Sequence, residues 1–383
     1  MVTKSVQILG VTGSVGTSTA SIILEHREEF CVDNIVADRN WEKLAQQAIE
    51  LRAKNIVIAQ EKYYEQLKST LSGHKIKVHA GKSAMLELAR EKYDVTVSSI
   101  VGLDGLEPTM EAVKGSSIVA LGNKESIVCA GPLLLSAALR YDSTIIPIDS
   151  EHSALFQVLE RRNKDAITKM TLTGSGGPFR NRSLDDMMHV TKDEALRHPT
   201  WSMGSKISID CATMMNKALE VIEAHQLFNI SYHLIDIVIH PESVVHGLIE
   251  YTDGSTLAHL GMPNMRTPIA YALFYPTRGN IAHQPLNLSQ LGSLNFSSPD
   301  YRRFPLLKLA LDVAHEGEQS RLVIMNAANE KAVELFLREQ ISYMMIHQSV
   351  ERTLQRLQTT ELSSIQDILK LHAAAKALTE EQF

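Results

Sequence analysis

The sequence predicts an α/β protein with three parts: an N-terminal domain on a parallel sheet, a central α/β domain and a C-terminal helical bundle. Short runs rich in β-branched residues alternate with helical stretches of about 10–15 residues before Asp149, which is the pattern of βαβ units. After Asp149 the chain gains loops rich in glycine and proline, and from Phe304 onward its pattern is helical throughout.

The N-terminal part alternates predicted strands with predicted helices. β-branched and aliphatic runs indicate the strands, and apolar residues that recur three and four positions apart indicate the helices. The predicted strands are Val6–Leu9, Ile35–Ala37, Asn55–Ala59, Ile76–His79, Val95–Ile100, Ser117–Leu121 and Thr144–Ile148. The predicted helices are Trp41–Leu51, Glu61–Leu71, Ala84–Glu91, Leu106–Lys114 and Ser126–Leu139. Because ligands of parallel sheets bind at the carboxyl ends of the strands, the residues that follow each strand are candidates for a site.

The rest of the chain divides into a mixed segment, a linker and a helical tail. In the mixed segment we expect strands at Lys169–Thr173, Lys206–Ile209, Ile235–His240 and Val244–Tyr251, and a helix at Thr213–Leu227. The tail helices are expected at Phe304–Ala314, Val323–Arg338, Ser342–Leu357 and Ser364–Leu378. These elements predict domains at residues 1–149, 150–275 and 304–383, with a linker at 276–303.

The charge balance gives no general affinity for nucleic acid or for an anionic membrane. The 383 residues include 38 Lys and Arg against 44 Asp and Glu, a formal net charge of −6. No apolar run is long enough to cross a bilayer, and residues 1–4 show no signal-peptide pattern. Three scattered cysteines are too few for a disulfide framework or a zinc cluster. We therefore expect a cytoplasmic protein whose anionic ligands bind at a local cluster.

A glycine-rich heptad follows the first predicted strand directly and opens a helix. It reads Gly10-Val11-Thr12-Gly13-Ser14-Val15-Gly16. Glycines permit a tight turn and a close backbone approach, and the free N–H groups at the helix start bind a pyrophosphate. The strand–turn–helix context favours a Rossmann-like dinucleotide-binding domain over a plain glycine turn.

The residues after the second strand carry signals for both NAD and NADP. The carboxylate of Asp38 suits a ribose 2′-hydroxyl, whereas Arg39 and Asn40 suit a 2′-phosphate. Taken together, these residues slightly favour NADP over NAD as the cofactor. An acid–base pair in an exposed turn is the alternative interpretation.

Two acidic residues at the end of the seventh predicted strand are candidate metal ligands. Asp149 and Glu151 flank Ser150, and their carboxylates can converge if the chain turns there. Hard oxygen ligands suit Mg²⁺ or Mn²⁺ rather than zinc. The alternative is a helix cap formed by Asp149 or Ser150.

A polar patch on the helix predicted over Thr213–Leu227 strengthens the metal hypothesis. Asn216 and Glu220 lie one turn apart on an otherwise apolar helix, and Lys217 lies beside both. A surface Lys–Glu salt bridge is the alternative for this patch.

Polar residues also follow the sixth predicted strand. Asn123, Lys124 and Glu125 stand there, where side chains of a dinucleotide-binding sheet face the nicotinamide. A helix cap with a solvated charged pair is the alternative. Among the histidines, His198 and His246 stand out only by their loop and strand-end settings.

Together these motifs resemble the 1-deoxy-D-xylulose 5-phosphate reductoisomerases, NADPH-dependent enzymes of the methylerythritol phosphate route to isoprenoids. The matching segments occur in the family's order and cover essentially the whole chain. They are Gly10–Gly16, Ala120–Ser126, Asp149–Ala154, Thr173–Phe179, His198–Gly204, Asp210–Glu220, His240–His246, Met265–Ala270 and Asn326–Ala332.

The resemblance implies a role for each matched residue. The NADPH-binding residues would be Thr12, Gly13, Ser14, Val15, Asp38, Arg39, Asn40, Asn123, Glu125 and Gly204. The ligands of Mg²⁺ or Mn²⁺, with Co²⁺ as an alternative, would be Asp149, Glu151 and Glu220. The substrate would contact Lys124, Ser150, Glu151, Ser175, His198, Trp201, Cys211, Asn216, Lys217 and Glu220. Lys124, Glu151, His198 and Glu220 would act in catalysis.

The implied reaction isomerises and reduces 1-deoxy-D-xylulose 5-phosphate to 2-C-methyl-D-erythritol 4-phosphate. In the family's mechanism the metal binds two oxygens of the hydroxyketone, and the carbon skeleton rearranges by retro-aldol cleavage and re-addition. NADPH then delivers a hydride to the branched aldehyde. The family further implies a homodimer formed through the central domain, and a mobile loop that carries Trp201 over the substrate.

Two positions depart from the family pattern. Asp38 stands where the family usually has Gly, and Cys211 stands where it usually has a phosphate-binding Ser. We expect Cys211 at the start of the helix that runs through Glu220, where a thiol is a weaker hydrogen-bond donor than a hydroxyl.

Two other functional classes remain open at this point. A semialdehyde dehydrogenase that forms a thioester would need an activated cysteine beside a histidine, and neither Cys129 nor Cys211 has that setting. A non-catalytic NADP-binding sensor would lack metal-dependent NADPH turnover. The combination of Asp149, Glu151 and Glu220 argues against the sensor.

Overall fold

The computed structural model describes residues 3–383, which form two compact units. The first unit holds the chain up to Ser126 together with Pro132–Ser153 and Asn264–His283, and the second holds Ile127–Gly131, Ala154–Pro263 and Gln284–Phe383. Met1 and Val2, part of the segment expected to lack a signal peptide, lie outside the described residues. The predicted fold class, with a parallel N-terminal sheet and a helical C-terminal region, is confirmed.

The first unit is built on a seven-stranded parallel sheet. Its strands are Lys4–Leu9 (β1), Phe30–Ala37 (β2), Asn55–Ile58 (β3), Lys77–Ala80 (β4), Tyr93–Ser98 (β5), Ser116–Leu121 (β6) and Thr144–Pro147 (β7). They lie in the order β4-β3-β2-β1-β5-β6-β7, and every neighbouring pair is parallel. Because the order reverses between β1 and β5, the ligand crevice of this sheet lies at the carboxyl ends of those two strands.

The second unit contains a four-stranded mixed sheet. Its strands are Ile167–Gly174 (β8), Ile235–Ile239 (β9), Val245–Tyr251 (β10) and Thr256–Leu260 (β11). β8 pairs parallel with β9 and antiparallel with β10, and β11 forms an edge beside β10. The edge strand was not predicted from the sequence, because it is only five residues long and none of its side chains is buried.

The helices of the N-terminal part follow the predicted order. They are Ser14–Glu25 (α1), Trp41–Leu51 (α2), Tyr64–Thr70 (α3), Gly81–Ala89 (α4), Leu106–Gly115 (α5), Lys124–Arg140 (α6) and Ser150–Val158 (α7). α6 is kinked at Ala130, two residues before Pro132. A proline inside a helix removes a backbone donor, which accounts for the kink.

The later helices include the predicted C-terminal set. They are Leu184–Met187 (α8), Lys192–Leu196 (α9), Ser205–Ala212 (α10), Met215–Phe228 (α11), Arg266–Phe274 (α12), Leu288–Leu291 (α13), Pro305–Glu316 (α14), Gln319–Leu337 (α15), Tyr343–Arg356 (α16) and Ile365–Glu380 (α17). The last four match the helices expected in the tail within a few residues.

One predicted element has the wrong secondary structure. The segment Lys206–Ile209, predicted as a strand, lies inside helix α10. Its polar and apolar residues alternate over only four positions, which is too short to distinguish a strand from a helix. The chain then breaks at Met214, which adopts a left-handed backbone (φ 61°), and α11 begins at Met215.

This break also corrects the expectation for Cys211. That residue lies in the last turn of α10 and not at the start of the helix through Glu220. Carbonyl groups, not free N–H groups, accumulate at the end of a helix. The expectation that Cys211 stands at a helix start is therefore wrong.

Helix α12 packs in the first unit, although the sequence grouped it with residues 150–275. Arg266 forms an ion pair with Glu25 of α1 at 2.5 Å and donates to the hydroxyl of Ser21. Lys4 of β1 donates to the carbonyl groups of Leu273 and Tyr275 at 3.1 and 2.8 Å. The predicted division into functional domains stays a prediction.

The structure also addresses membrane-spanning helices and the state of the cysteines. None of the helices in the described part of the chain is long and apolar enough to cross a membrane. The three cysteines are free thiols, and Cys129 is fully buried.

Candidate active site

The glycine-rich loop joins β1 to α1 at the carboxyl edge of the first sheet. A Cβ atom at Gly16 would lie 2.4 Å from the carbonyl oxygen of Gly10, so only glycine allows the helix to pack this closely on the loop. The N-cap residue Gly13 has no side chain to cap α1. The first N–H groups of α1 thus have no side-chain acceptor, which is the arrangement that binds a phosphate.

The loop after β2 lies beside the glycine-rich loop. Asp38, Arg39 and Asn40 are all exposed. The carboxylate of Asp38 accepts hydrogen bonds from the amide of Gln60 at 3.2 and 3.3 Å. The side-chain oxygen of Asn40 accepts from the backbone N–H of Lys43 at 3.1 Å and caps α2, which leaves its amide N–H groups as donors for a ligand.

Asn123 holds the loop after β6 in place. Its side-chain oxygen accepts from the N–H of Ser126 at 2.6 Å and caps α6, and its amide donates to the carbonyl groups of Ile100 and Gly102. The predicted cap is therefore present. The charged residues Lys124 and Glu125 are only 7% and 5% exposed, so the other part of that alternative, a solvated charged pair, is wrong.

Lys124 and Asp149 form an ion pair across neighbouring strand ends. The Nζ atom of Lys124 lies 2.7 Å from a carboxylate oxygen of Asp149, and Lys124 is only 7% exposed. The hydroxyl of Ser150 donates to the carboxylate of Glu151 in the first turn of α7. The first unit thus brings together four of the predicted site residues.

The second unit brings together another group, beginning with Ser175 and His198. The Nδ1 atom of His198 accepts from the backbone N–H groups of Thr200 and Trp201 at 3.2 and 3.0 Å. The ring proton therefore lies on Nε2, which donates to the hydroxyl of Ser175 at 3.1 Å. His198 thereby links the glycine-rich loop after β8 to the segment that carries Trp201.

The polar patch of α11 is buried. Glu220 is 1% exposed, and its carboxylate accepts from the amide of Asn216 and from the ammonium of Lys217. Lys217 also donates to the carbonyl oxygen of Thr173 at 2.5 Å, which joins α11 to the end of β8. The alternative of a surface Lys–Glu salt bridge is wrong, because Lys217 is only 5% exposed.

The backbone of Cys211 lies against the glycine-rich loop that follows β8. Gly177 has a left-handed backbone (φ +70°), and a Cβ atom there would lie 2.5 Å from the carbonyl oxygen of Cys211. The end of α10 therefore packs on the glycine-rich loop that carries Ser175. Gly204, by contrast, is an exposed residue at the start of α10 with open space around it.

Sequence reasoning missed one cation next to the dinucleotide loops. The ammonium group of Lys43 donates to the carbonyl oxygen of Thr12 and to the hydroxyl of Thr17, both at 2.9 Å. The only available signal was its position three residues after the cap Asn40.

Comparison with known proteins agrees with the fold and these residue groups. A family model described as 1-deoxy-D-xylulose 5-phosphate reductoisomerase matches residues 6–131. Two models of C-terminal domains of the same family match residues 145–228 and 260–378.

Curated relatives match over nearly the full length. The 1-deoxy-D-xylulose 5-phosphate reductoisomerase of Wolbachia sp. subsp. Drosophila simulans is 44% identical over 99% of this chain and 97% of its own. The enzyme of the same name from Zymomonas mobilis is 42% identical over 97% of this chain and 96% of its own.

Solved structures agree as well. The chain is 40% identical to the Zymomonas mobilis enzyme in complex with NADPH, with a TM-score of 0.93 over 100% of this chain and 99% of that one. A DOX-P reductoisomerase in complex with NADPH, fosmidomycin and magnesium is 39% identical, with a TM-score of 0.92 over 99% and 98% of the two chains.

The parallel-sheet domain and these relatives define an NADP-dependent oxidoreductase. Within that class, the chain belongs to the family of 1-deoxy-D-xylulose 5-phosphate reductoisomerases. The resemblance predicted from the sequence motifs is confirmed.

Proposed function

We propose that this chain converts 1-deoxy-D-xylulose 5-phosphate to 2-C-methyl-D-erythritol 4-phosphate, with NADPH and a divalent cation, in isoprenoid precursor synthesis. The observation that carries the proposal is the buried carboxylate of Glu220, hydrogen-bonded by Asn216 and Lys217 on the same helix. Buried charge is costly, so a position of this kind indicates chemistry rather than packing.

The first unit fits NADPH. The uncapped start of α1 and the close packing at Gly16 leave a backbone cradle for a pyrophosphate. We assign the pyrophosphate to the loop Thr12–Val15, and the 2′-phosphate to Arg39 and Asn40, with Asp38 in the same turn. Asn123 and Glu125 lie on the nicotinamide side, and Gly204 closes over it. When bound, NADPH supplies the hydride for the reduction.

The donor set fits a hard divalent cation. Asp149, Glu151 and Glu220 offer carboxylate oxygens and no nitrogen or sulfur, which suits Mg²⁺ or Mn²⁺, with Co²⁺ as an alternative. We assign these three residues as its ligands. When bound, the cation polarises the substrate's carbonyl and hydroxyl oxygens and stabilises the negative charge that develops there.

The substrate phosphate would be anchored by residues of the second unit. Ser175, Asn216 and Lys217 supply two neutral donors and one cation, and Cys211 lies beside the loop that carries Ser175. Binding energy from this non-reacting group positions the carbons that rearrange.

The remaining assigned residues hold the reacting end of the substrate. Lys124 contributes a fixed positive charge that Asp149 orients, and Ser150 contributes a hydroxyl. His198 offers its Nε2 proton to a substrate oxygen in place of the Ser175 hydroxyl. Trp201 covers the substrate and excludes water. The catalytic group is then Lys124, Glu151, His198 and Glu220.

We further propose a cytoplasmic homodimer. The free cysteines suit a reducing compartment. The edge strand β11 carries Leu257 and Leu260, large apolar side chains that are 37% and 38% exposed, and a second copy of the chain could cover them. Sedimentation equilibrium should give twice the monomer mass, and a monomer at micromolar concentration would contradict the dimer.

The activity is tested by NADPH oxidation with the purified chain and 1-deoxy-D-xylulose 5-phosphate. We expect turnover with Mg²⁺ or Mn²⁺, loss of turnover with EDTA, and recovery when the cation is restored in excess. NADPH binding without any turnover at saturating cation would instead support the non-catalytic sensor.

A further inference from the structure

We propose that Lys43 is a second cation for the 2′-phosphate of NADPH, and that it offsets the negative charge of Asp38. The inference rests on the proposed NADPH-dependent function and extends it to a residue that the motif comparison did not include. Lys43 lies in the first turn of α2, three residues after the cap Asn40.

The side chain of Lys43 points to the glycine-rich loop. Its ammonium donates to the carbonyl of Thr12 and to the hydroxyl of Thr17, and that hydroxyl donates onward to the carbonyl of Gly13 at 2.7 Å. Both loop carbonyls are thereby occupied by donors on the protein. The partial negative charge on each carbonyl oxygen is therefore offset by a hydrogen-bond donor of the protein, which reduces its repulsion of a phosphate.

The charge of Lys43 is not neutralised. No carboxylate of the described residues lies within 4.0 Å of its ammonium, and the two partners above are neutral. A lysine in the first turn of a helix is also disfavoured by the helix dipole. A half-buried cation in this position indicates an anion that is bound from solvent.

The charges of the loop after β2 explain why a second cation is needed. Asp38 and Arg39 together are neutral, whereas a phosphate monoester carries about −1.5 to −2. Asp38 is fixed by the amide of Gln60 and stays at the loop. Arg39 alone would therefore leave the 2′-phosphate uncompensated, and Lys43 restores a net positive charge beside it.

The test compares binding of NADPH and NADH to the full-length chain by isothermal titration calorimetry, in the absence of substrate. Lys43→Met should weaken NADPH binding about tenfold, the scale of one charge-assisted contact, and NADH binding less than about twofold. Lys43→Arg should recover most of the NADPH affinity. Lys54→Met removes the same charge at an exposed site paired with Asp33, and should change neither affinity.

Two further arms separate charge from loop structure. Lys43→Gln keeps a donor for the loop and removes the charge, so it should lose NADPH selectivity as Lys43→Met does. Adenosine 2′,5′-bisphosphate should bind more weakly to Lys43→Met, while ADP should not. In the Lys43→Met background, Asp38→Asn should recover part of the NADPH affinity.

If Lys43→Met weakens the binding of NADPH and NADH equally, or of both adenosine nucleotides equally, the proposal is wrong. Lys43 would then only stabilise the structure of the loop. Unchanged NADPH binding by Lys43→Met would overturn it as well. Turnover of 1-deoxy-D-xylulose 5-phosphate by the wild-type chain, measured in parallel, keeps this failure distinct from failure of the proposed function.

Discussion

The surroundings of Glu220 differ from those of an ordinary helix core. Its carboxylate is buried between an amide and an ammonium on the same helix. We expect Glu220→Gln to lower turnover about a hundredfold or more, the scale of losing one charge-stabilising group at a reacting centre. The reason is that an amide replaces an anionic ligand while the shape is kept. Turnover at saturating Mg²⁺ measures the effect.

Circular dichroism and a melting curve show whether Glu220→Gln is folded. Glu361→Gln, at an exposed position, is the matched control and should retain full activity. Near-normal turnover by a folded Glu220→Gln protein would rule out Glu220 as a metal ligand.

Arg39 is a residue on which we expect the preference for NADPH over NADH to depend. Arg39→Ala should raise the KM for NADPH about tenfold and the KM for NADH little, because only NADPH has a 2′-phosphate to lose. Steady-state kinetics with both cofactors measure the difference. A similar rise for both would mean that Arg39 does not contact the 2′-phosphate.

At the scale of elements, we expect the segment between α9 and α10 to be the part of the proposed site that moves when ligand binds. Residues 197–204 have no regular structure, and the segment is tied to the rest of its unit by the His198–Ser175 hydrogen bond. A segment with few buried contacts opens easily, and ligand binding orders it. We expect a bound substrate analogue to slow trypsin cleavage after the exposed Arg197 several-fold.

Fluorescence gives an independent measure of the same ordering. The chain has two tryptophans, so a change that disappears in Trp201→Phe belongs to this segment. If the analogue binds by calorimetry while cleavage after Arg197 and Trp201 fluorescence both stay constant, the segment is not a lid.

The sequence predicted regular, buried elements better than edges and breaks. Strands β1, β2, β3, β5 and β6 of the first sheet are largely buried and show as aliphatic runs, so their order along the chain was predictable. β11 is a short, exposed edge strand and left no such run. The break at Met214 depends on a left-handed backbone in a non-glycine residue, which no local pattern indicates.

For the site, the sequence predicted residue types but not their partners. The spacing of Asn216 and Glu220 followed from the helical period. The contact of Lys217 with Thr173 joins residues 44 positions apart and required the fold. Lys43 was missed for the same reason, since Thr12 and Thr17 belong to another element.

At the scale of the whole molecule, stability toward acid depends on a buried carboxylate in the C-terminal helices. Glu330 of α15 accepts from Asn326 at 3.0 Å, from His372 of α17 at 3.2 Å and from Lys376 at 3.4 Å. Burial alone would raise the pKa of Glu330, but the hydrogen bond from His372 and the charges of His372, Lys206 and Lys376 outweigh it and lower the pKa to about 2. The folded state therefore favours the ionised carboxylate.

The sign of the pH dependence follows from this lowered pKa. Ionised Glu330 stabilises the folded state at every pH above the unfolded pKa of about 4.5, and the stabilisation is lost as pH falls from there toward about 2. The shift corresponds to about 3 kcal/mol.

Glu330→Gln resembles the protonated form. We therefore expect it to unfold more easily than wild type at pH 7, and the difference in unfolding free energy to shrink steadily below about pH 4.5. Urea unfolding of both proteins at a series of pH values measures that difference, with Glu361→Gln as the exposed control. A difference that stays constant down to pH 3 would show that the ionised form of Glu330 does not stabilise the fold.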